Sequence, residues 1–229
     1  MQKSSKVFLF TGLAFLGLGF FAFGTNGRSL AESVSSKPQE ELLSAKMRTL
    51  WTDHIVFTRF YIVSALAGLK DKDTVAARLL ENQDEIATIF KPYYGLTFSK
   101  DLAALLRAHI NIAAEVVAAA QSGSEAAMRK AQARWSANGA EITALLSAAN
   151  PHWEAKEIAA MLQDHLELTS KEVAARLAKD WAGDLKNFED LQAHMLMFSD
   201  FLVAGLERQF RKDPKRSLNL MESLAVGGR

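Results

Sequence analysis

From Gln39 to Phe210 apolar residues return every three or four positions in long stretches, and no run alternates with a period of two. A chain patterned in this way can bury its apolar side only by packing helix on helix, so the fold class is all-α. Breakers divide the pattern. The turn after Gly68 closes a first helix, 39–69, and a shorter helix capped by Asp73 covers 74–90. Pro92 and Gly95 interrupt the chain at KPYYG, and a third helix runs 99–121. Ser-Gly-Ser at 122–124 leads into a fourth, 125–147. Asn150-Pro151 reads as a cap with proline in the first turn of a fifth helix ending near Leu168. Thr169 with Glu172 three residues on reads as a capping box that opens the sixth and longest, toward Phe210, with Gly183 as a point of bending. The expectation is an antiparallel bundle of four long helices with the two shorter ones packed at its ends or side.

Titratable residues fall inside several of the apolar stripes. On a wheel at 100° per residue the first helix aligns Leu43, Met47, Leu50, His54, Thr58, Tyr61 and Ala65, with a histidine at the centre. The third aligns Leu102, Leu105, His109, Ala113 and Val116. The fourth aligns Ala131, Trp135, Asn138 and Ile142, flanked by Arg134 and Glu141, and the fifth aligns Ile158, Met161, His165 and Leu168. On the sixth, Asp184 lies among Trp181, Phe188, Leu191 and Met195, and Asn187, Asp190 and His194 run beside them. Axial position adds to this. His109 stands fourteen residues before the 122–124 connection and Asn138 about as far after it, so the antiparallel pair brings them to one level, roughly 20 Å from the turn. His54 and the 184–194 stretch are also near the middles of their helices.

Buried polar groups must satisfy one another or bind something. Two readings follow. In the first, a mid-bundle pocket holds a transition metal (Zn, Fe or Cu) or a small polar ligand, with His54, His109, Glu141, His165 and His194 as metal ligands and Arg59, Arg134, Asn138 and Asp184 as ligand-binding groups. In the second, a polar core fixes helix register in a structural or interaction module. Met161 and His194-Met195-Leu196-Met197 also admit copper or, less well, non-covalent haem. The Glu-x-x-His pairs of a di-iron bundle are missing from the long helices, and without C-x-x-C-H no haem is attached covalently. Trp51, Trp135, Trp153 and Trp181 are expected in the core or its walls.

Enzyme signatures are lacking: no G-x-S-x-G, phosphate loop, dinucleotide fingerprint or H-E-x-x-H occurs, which leaves a hydrolase or transferase as the least supported class. A net charge of +1 with interleaved signs excludes the concentrated basic face of a nucleic-acid binder. No cysteine is present, so disulfides, thiolate metal sites and a cysteine nucleophile are excluded. Lys3 and Lys6 precede an apolar run from Val7 to Phe23, and Ser29-Leu30-Ala31 offers small residues before a cut. This is the layout of a signal peptide over 1–31, or of an uncleaved anchor, and it places the domain outside the cytoplasm, in the periplasm or beyond. A polar linker, 32–38, a helical domain, 39–210, and a flexible tail, 211–229, complete the division.

The segments LWTDHIVFTRFYIVSAL, RLLENQDEI, KPYYG, LLRAHINIAAEVVAAA, RWSANGAEI, NPHW, MLQDHLELTSKEVAARL and HMLMFSDFLVAGLERQF together resemble an uncharacterised all-helical bacterial family. The resemblance spans residues 46–210 and includes His54, Arg59, Asn82, His109, Asn138, Glu141, His165, Asp184, His194 and Asp200. Members often carry the labels glycosyltransferase or acetylglutamate kinase. Either activity implies an α/β protein with phosphate loops, which these residues do not supply, so the resemblance implies membership alone.

Overall fold

A computed structural model describes residues 27–211, with side chains from Glu40 onward. Most of the expected signal segment and the tail beyond 211 lie outside the described residues. Among those described there are five helices and no strand: α1 (Gly27–Ala67), α2 (Lys72–Ser122), α3 (Glu125–Ala149), α4 (Ala155–Leu177) and α5 (Trp181–Phe210). The bundle is all-α as expected, but its division differs from four long plus two short helices in three places.

The first is the start of α1, which runs through Pro38 and the expected linker. The second is α2, where the two expected helices join. Its 72–94 arm leaves the end of α1, the backbone at Gly95 turns to φ 86° and ψ 176°, and the 95–122 arm comes back. Contacts between the arms show the reversal: Ser99 donates its hydroxyl to Ala87 O at 2.9 Å, and Arg107 reaches Asp84 at 2.9 Å. Pro92 and Gly95 therefore do interrupt the rod, although helical hydrogen bonding resumes without a loop. By length and hydropathy α2 would suffice for a membrane span, yet its apolar residues line the core of the bundle.

The third difference is at Thr169. The helix does not restart there, because Thr169 lies inside α4 and returns its hydroxyl to His165 O at 2.9 Å. The break comes at Ala178-Lys179-Asp180. Lys179 takes φ 60°, and Asp180 caps α5 by accepting the Gly183 N–H at 3.0 Å. Gly183 thus belongs to a first turn, not to a bend. Likewise α4 begins at Ala155, because Asn150 ends α3 and its Oδ1 accepts the His152 N–H at 2.9 Å in a tight turn containing Pro151. Ser124 caps α3 through the Ala127 N–H.

Successive helices pack side by side and α5 returns to α1, while α1 and α4 face each other across the middle. The core falls into three clusters: the largest includes Met47, Ile86, Trp153, Leu191 and Leu206, a second gathers Val116, Trp135 and Leu166, and a third Ile62, Val117 and Val173. At one end Asn150 Nδ2 donates to Tyr94 OH, which donates to Gln209 Oε1 at 2.7 Å, tying the α2 reversal to the α3–α4 turn and to the end of α5. Trp51, Trp135 and Trp153 are buried, whereas Trp181 is about half exposed beneath the Arg176 guanidinium.

Candidate functional site

His54 on α1, His109 on the returning arm of α2 and His165 on α4 meet at mid-bundle. The His165 ring centroid lies 5.8 Å from that of His54 and 5.7 Å from that of His109. All three are buried. They line one cavity of about 30 Å³, otherwise walled by apolar side chains that include Trp51, Phe90, Met195 and Phe198. Space of that size holds about two water molecules. Neither a haem nor a nucleotide fits it.

Burial removes water from the imidazolium form and lowers all three pKa values: His54 to about 3, with the neighbouring His109 adding to the effect, His109 to about 4, and His165 well below the ordinary range. The rings are neutral at pH 7, and their partners fix which nitrogen carries hydrogen. Trp135 donates its indole N–H to His109 Nε2 at 3.1 Å, so the proton is on Nδ1 and goes to Asn138 Oδ1 at 2.8 Å. Asn138 in turn donates its Nδ2–H to Leu105 O at 3.1 Å. At His54, Nδ1 lies 3.2 Å from Gln83 Nε2, which also reaches Leu79 O at 2.8 Å and Asn82 Oδ1 at 3.1 Å. A nitrogen among acceptors must donate, so His54 Nδ1 accepts and its Nε2 carries the proton. His165 differs: its Nδ1 is buried with no partner, and so is the indole Nε1 of Trp51 on the same cavity.

The remaining residues of the expected metal and ligand sets lie elsewhere. His194 is buried but does not line the cavity, and it bonds through Nε2 to Met161 O at 2.8 Å. Glu141 is exposed, and Arg134 is exposed and paired with Glu115 across the α2–α3 seam. Both flank the Asn138 stripe on the wheel, but the buried face of α3 is too narrow to include them. Among the described residues, no three His, Asp or Glu side chains are placed to hold a metal ion. Of the five expected metal residues only His54, His109 and His165 share the cavity; His109 has both nitrogens engaged, and no carboxylate joins the rings.

Arg59 and Asp184 form a separate cluster about two turns farther along the bundle, at Glu172. Arg59 grips Asp184 with two bonds of 3.0 Å and Glu172 Oε1 with one of 2.7 Å, and Arg176 adds 3.0 Å to Asp184. Burial pushes the Asp184 carboxyl up, but hydrogen bonds from Arg59 and Arg176 outweigh it and hold the pKa below the usual range. For Glu172 burial prevails over Arg59 and raises the pKa to about 7, and Oε2 has no partner. Sequence reasoning missed Glu172 as a buried acid because it assigned that residue to a capping box. Seven residues, two turns, separate it from His165, so a helix read through Thr169 would have placed both on one face.

Comparison of the chain with protein-family models, with curated proteins and with solved structures finds no match.

Proposed function

We propose that this is an exported helical-bundle binding protein whose histidine chamber takes a small, neutral, polar ligand of about two or three non-hydrogen atoms. One observation supports the reading: His165 Nδ1 and Trp51 Nε1 are buried and unpartnered, and both side chains line the same mid-bundle cavity. A buried polar group without a partner costs about 1–3 kcal/mol, and two around one cavity are what a ligand with a donor and an acceptor would satisfy. The chamber offers no negative charge to offset a divalent cation, so a Zn or Fe ion would meet a large desolvation cost. A soft, singly charged ion such as Cu(I) on His165 and Met195 is the metal alternative. Export rests on the lysines and apolar run of residues 1–31.

The second reading, a register-fixing core, is favoured by polar bonds that cross between packed helices: Asn82 to Leu50 O, Asn138 to Leu105 O and His194 to Met161 O. His165 separates the two, because its ring contributes none of those bonds. Thermal melts with formamide, methanol, Cu(I) and Zn(II) test this. Binding raises Tm with probe concentration, by linkage worth about 2.7 kcal/mol at a hundredfold excess over Kd, and His165→Leu abolishes the shift. No shift with any probe would leave the register reading standing.

A further inference from the structure

The two arms of α2 reverse direction at a single residue. Gly95 is the one position in the helix with non-helical angles, and its φ of 86° with ψ of 176° lies in a region essentially reserved for glycine. Antiparallel helices are ordinarily joined by roughly two to five loop residues, so this corner is unusually short. A Cβ at Gly95 would meet nothing, and Leu96 and Thr97 beside it are exposed, so the corner stands free at the end of the bundle. Pro92 already lies within the first arm and poses no bar to a straight rod.

Rotating Gly95 into helical angles would make α2 one rod roughly 75 Å long and carry residues 96–210 away from 40–94. Polar contacts tie these two parts together: Ser99 to Ala87 O, Arg107 to Asp84, Arg59 to Glu172 and Asp184, and Tyr94 to Gln209. An open chain would lose them and would bare the apolar side of 40–94, with Met47, Trp51, Ile86 and Phe90. The surface complementary to that side is the one 96–210 carries, and a second copy carries it too.

We propose that Gly95 is an exchange hinge and that a second copy of the chain, opened at the same residue, is a partner of this protein. Residues 40–94 of each copy then pack on 96–210 of the other. The exchange rebuilds the contacts of the closed chain and alters only the hinge, and short connections favour it because opening relieves them. The chamber becomes shared: Trp51 and His54 come from one copy, His109 and His165 from the other. None of this depends on what the chamber binds.

Refolding from urea at high protein concentration, followed by light scattering on a sizing column, tests it. Alanine at position 95 strains the corner and suits the rod, and a dimer contains two hinges, so Gly95→Ala should raise the association constant by roughly a hundredfold or more. Gly139→Ala, at a glycine within α3 whose Cβ also meets nothing, should not. The chain has no cysteine, so Arg48→Cys with Asp200→Cys, in place of an exposed ion pair between α1 and α5, can be joined by a short bismaleimide. In the exchanged dimer that link ties two chains together on a denaturing gel, whereas in a closed monomer or a dimer of closed chains it stays within one. A monomeric Gly95→Ala, links confined to single chains, or equal dimerisation of Gly139→Ala overturns the proposal. If Gly95→Ala does not fold, the cysteine pair in otherwise unaltered protein decides: links between chains uphold the exchange, and their absence overturns it.

Discussion

Trp135 donates its indole N–H to His109 Nε2 across 3.1 Å, and because an indole nitrogen can only donate, this contact sets the tautomer of the whole α2–α3 seam. His109 then gives its Nδ1–H to Asn138, and Asn138 gives its amide hydrogen to Leu105 O. Every group in the chain is buried or nearly so, and each is satisfied once. Trp135→Phe keeps most of the packing but leaves a ring nitrogen unpaired, at a cost of about 1–3 kcal/mol. Asn138→Leu strands the buried His109 Nδ1–H, an unpaired donor where Trp135→Phe leaves an unpaired acceptor, and urea denaturation should find it the more damaging of the two. Equal effects would mean that the chain is not coupled.

His165→Leu and His109→Leu should differ although both replace a chamber ring. His109 holds two partners, so its loss unpairs Trp135 and Asn138 and should cost about 2–4 kcal/mol. His165 has an orphaned Nδ1, and a leucine there removes a desolvated polar group from an apolar setting. In ligand-free protein at pH 7 the His165→Leu change should lie within about 1 kcal/mol of zero or be stabilising. A loss above about 3 kcal/mol would show that His165 has a structural partner.

Helical periodicity located His54, His109 and His165 because a residue centred in an apolar stripe has nowhere to go but inward. The same reasoning failed for Arg134 and Glu141, which lie at the stripe's edge, where neighbouring helices decide whether a side chain is covered. It failed differently at Thr169. A serine or threonine followed three residues later by glutamate satisfies a capping rule, but the α4 backbone needed no start there, and the glutamate was drawn inward by an arginine 113 positions away. The break at 178–180 carries no glycine or proline, so only the αL backbone of Lys179 and the Asp180 cap reveal it. Axial counting along a hairpin did place Asn138 opposite His109. It could not show that Trp135 would fill the other ring nitrogen and so remove that ring from a metal shell.

Gly205→Ala should be among the most damaging single substitutions. A Cβ at Gly205 would stand 1.9 Å from Trp153 Nε1, and Trp153 is fully buried against Phe90 and Tyr94. The indole cannot swing aside without breaking that aromatic contact. A loss of about 3 kcal/mol or more, as expected of overpacking against a rigid ring, would appear as a lowered urea midpoint. At Gly95 a Cβ meets no neighbour, but φ 86° with ψ 176° is a backbone region essentially reserved for glycine. Gly95→Ala should therefore cost about 1–3 kcal/mol through strain alone. A neutral Gly95→Ala would mean that the α2 reversal relaxes without it.

Acid should unfold this protein through its core, with a net proton count that can be derived. His54, His109 and His165 have folded pKa values below their unfolded value of about 6.5, so as pH falls through 6.5 the unfolded chain takes up protons that the folded chain refuses. Their contribution to stability is complete above that pH and is lost below it. Glu172 acts in the opposite sense: its raised folded pKa, about 7, means that the folded protein already holds a proton there between pH 7 and the ordinary carboxylate range. Asp184, held low by its arginines, enters only in stronger acid. Near pH 5.5, three protons gained on unfolding and one released leave about two, a slope of about 2–3 kcal/mol per pH unit. Glu172→Gln keeps the acceptor oxygen for Arg59 and removes the opposing proton, so its slope should steepen toward three protons. Adding His165→Leu should bring it back to about two. Urea midpoints from pH 5 to 7 measure this directly, and a slope unchanged by Glu172→Gln would mean that the glutamate is ionised in the folded protein.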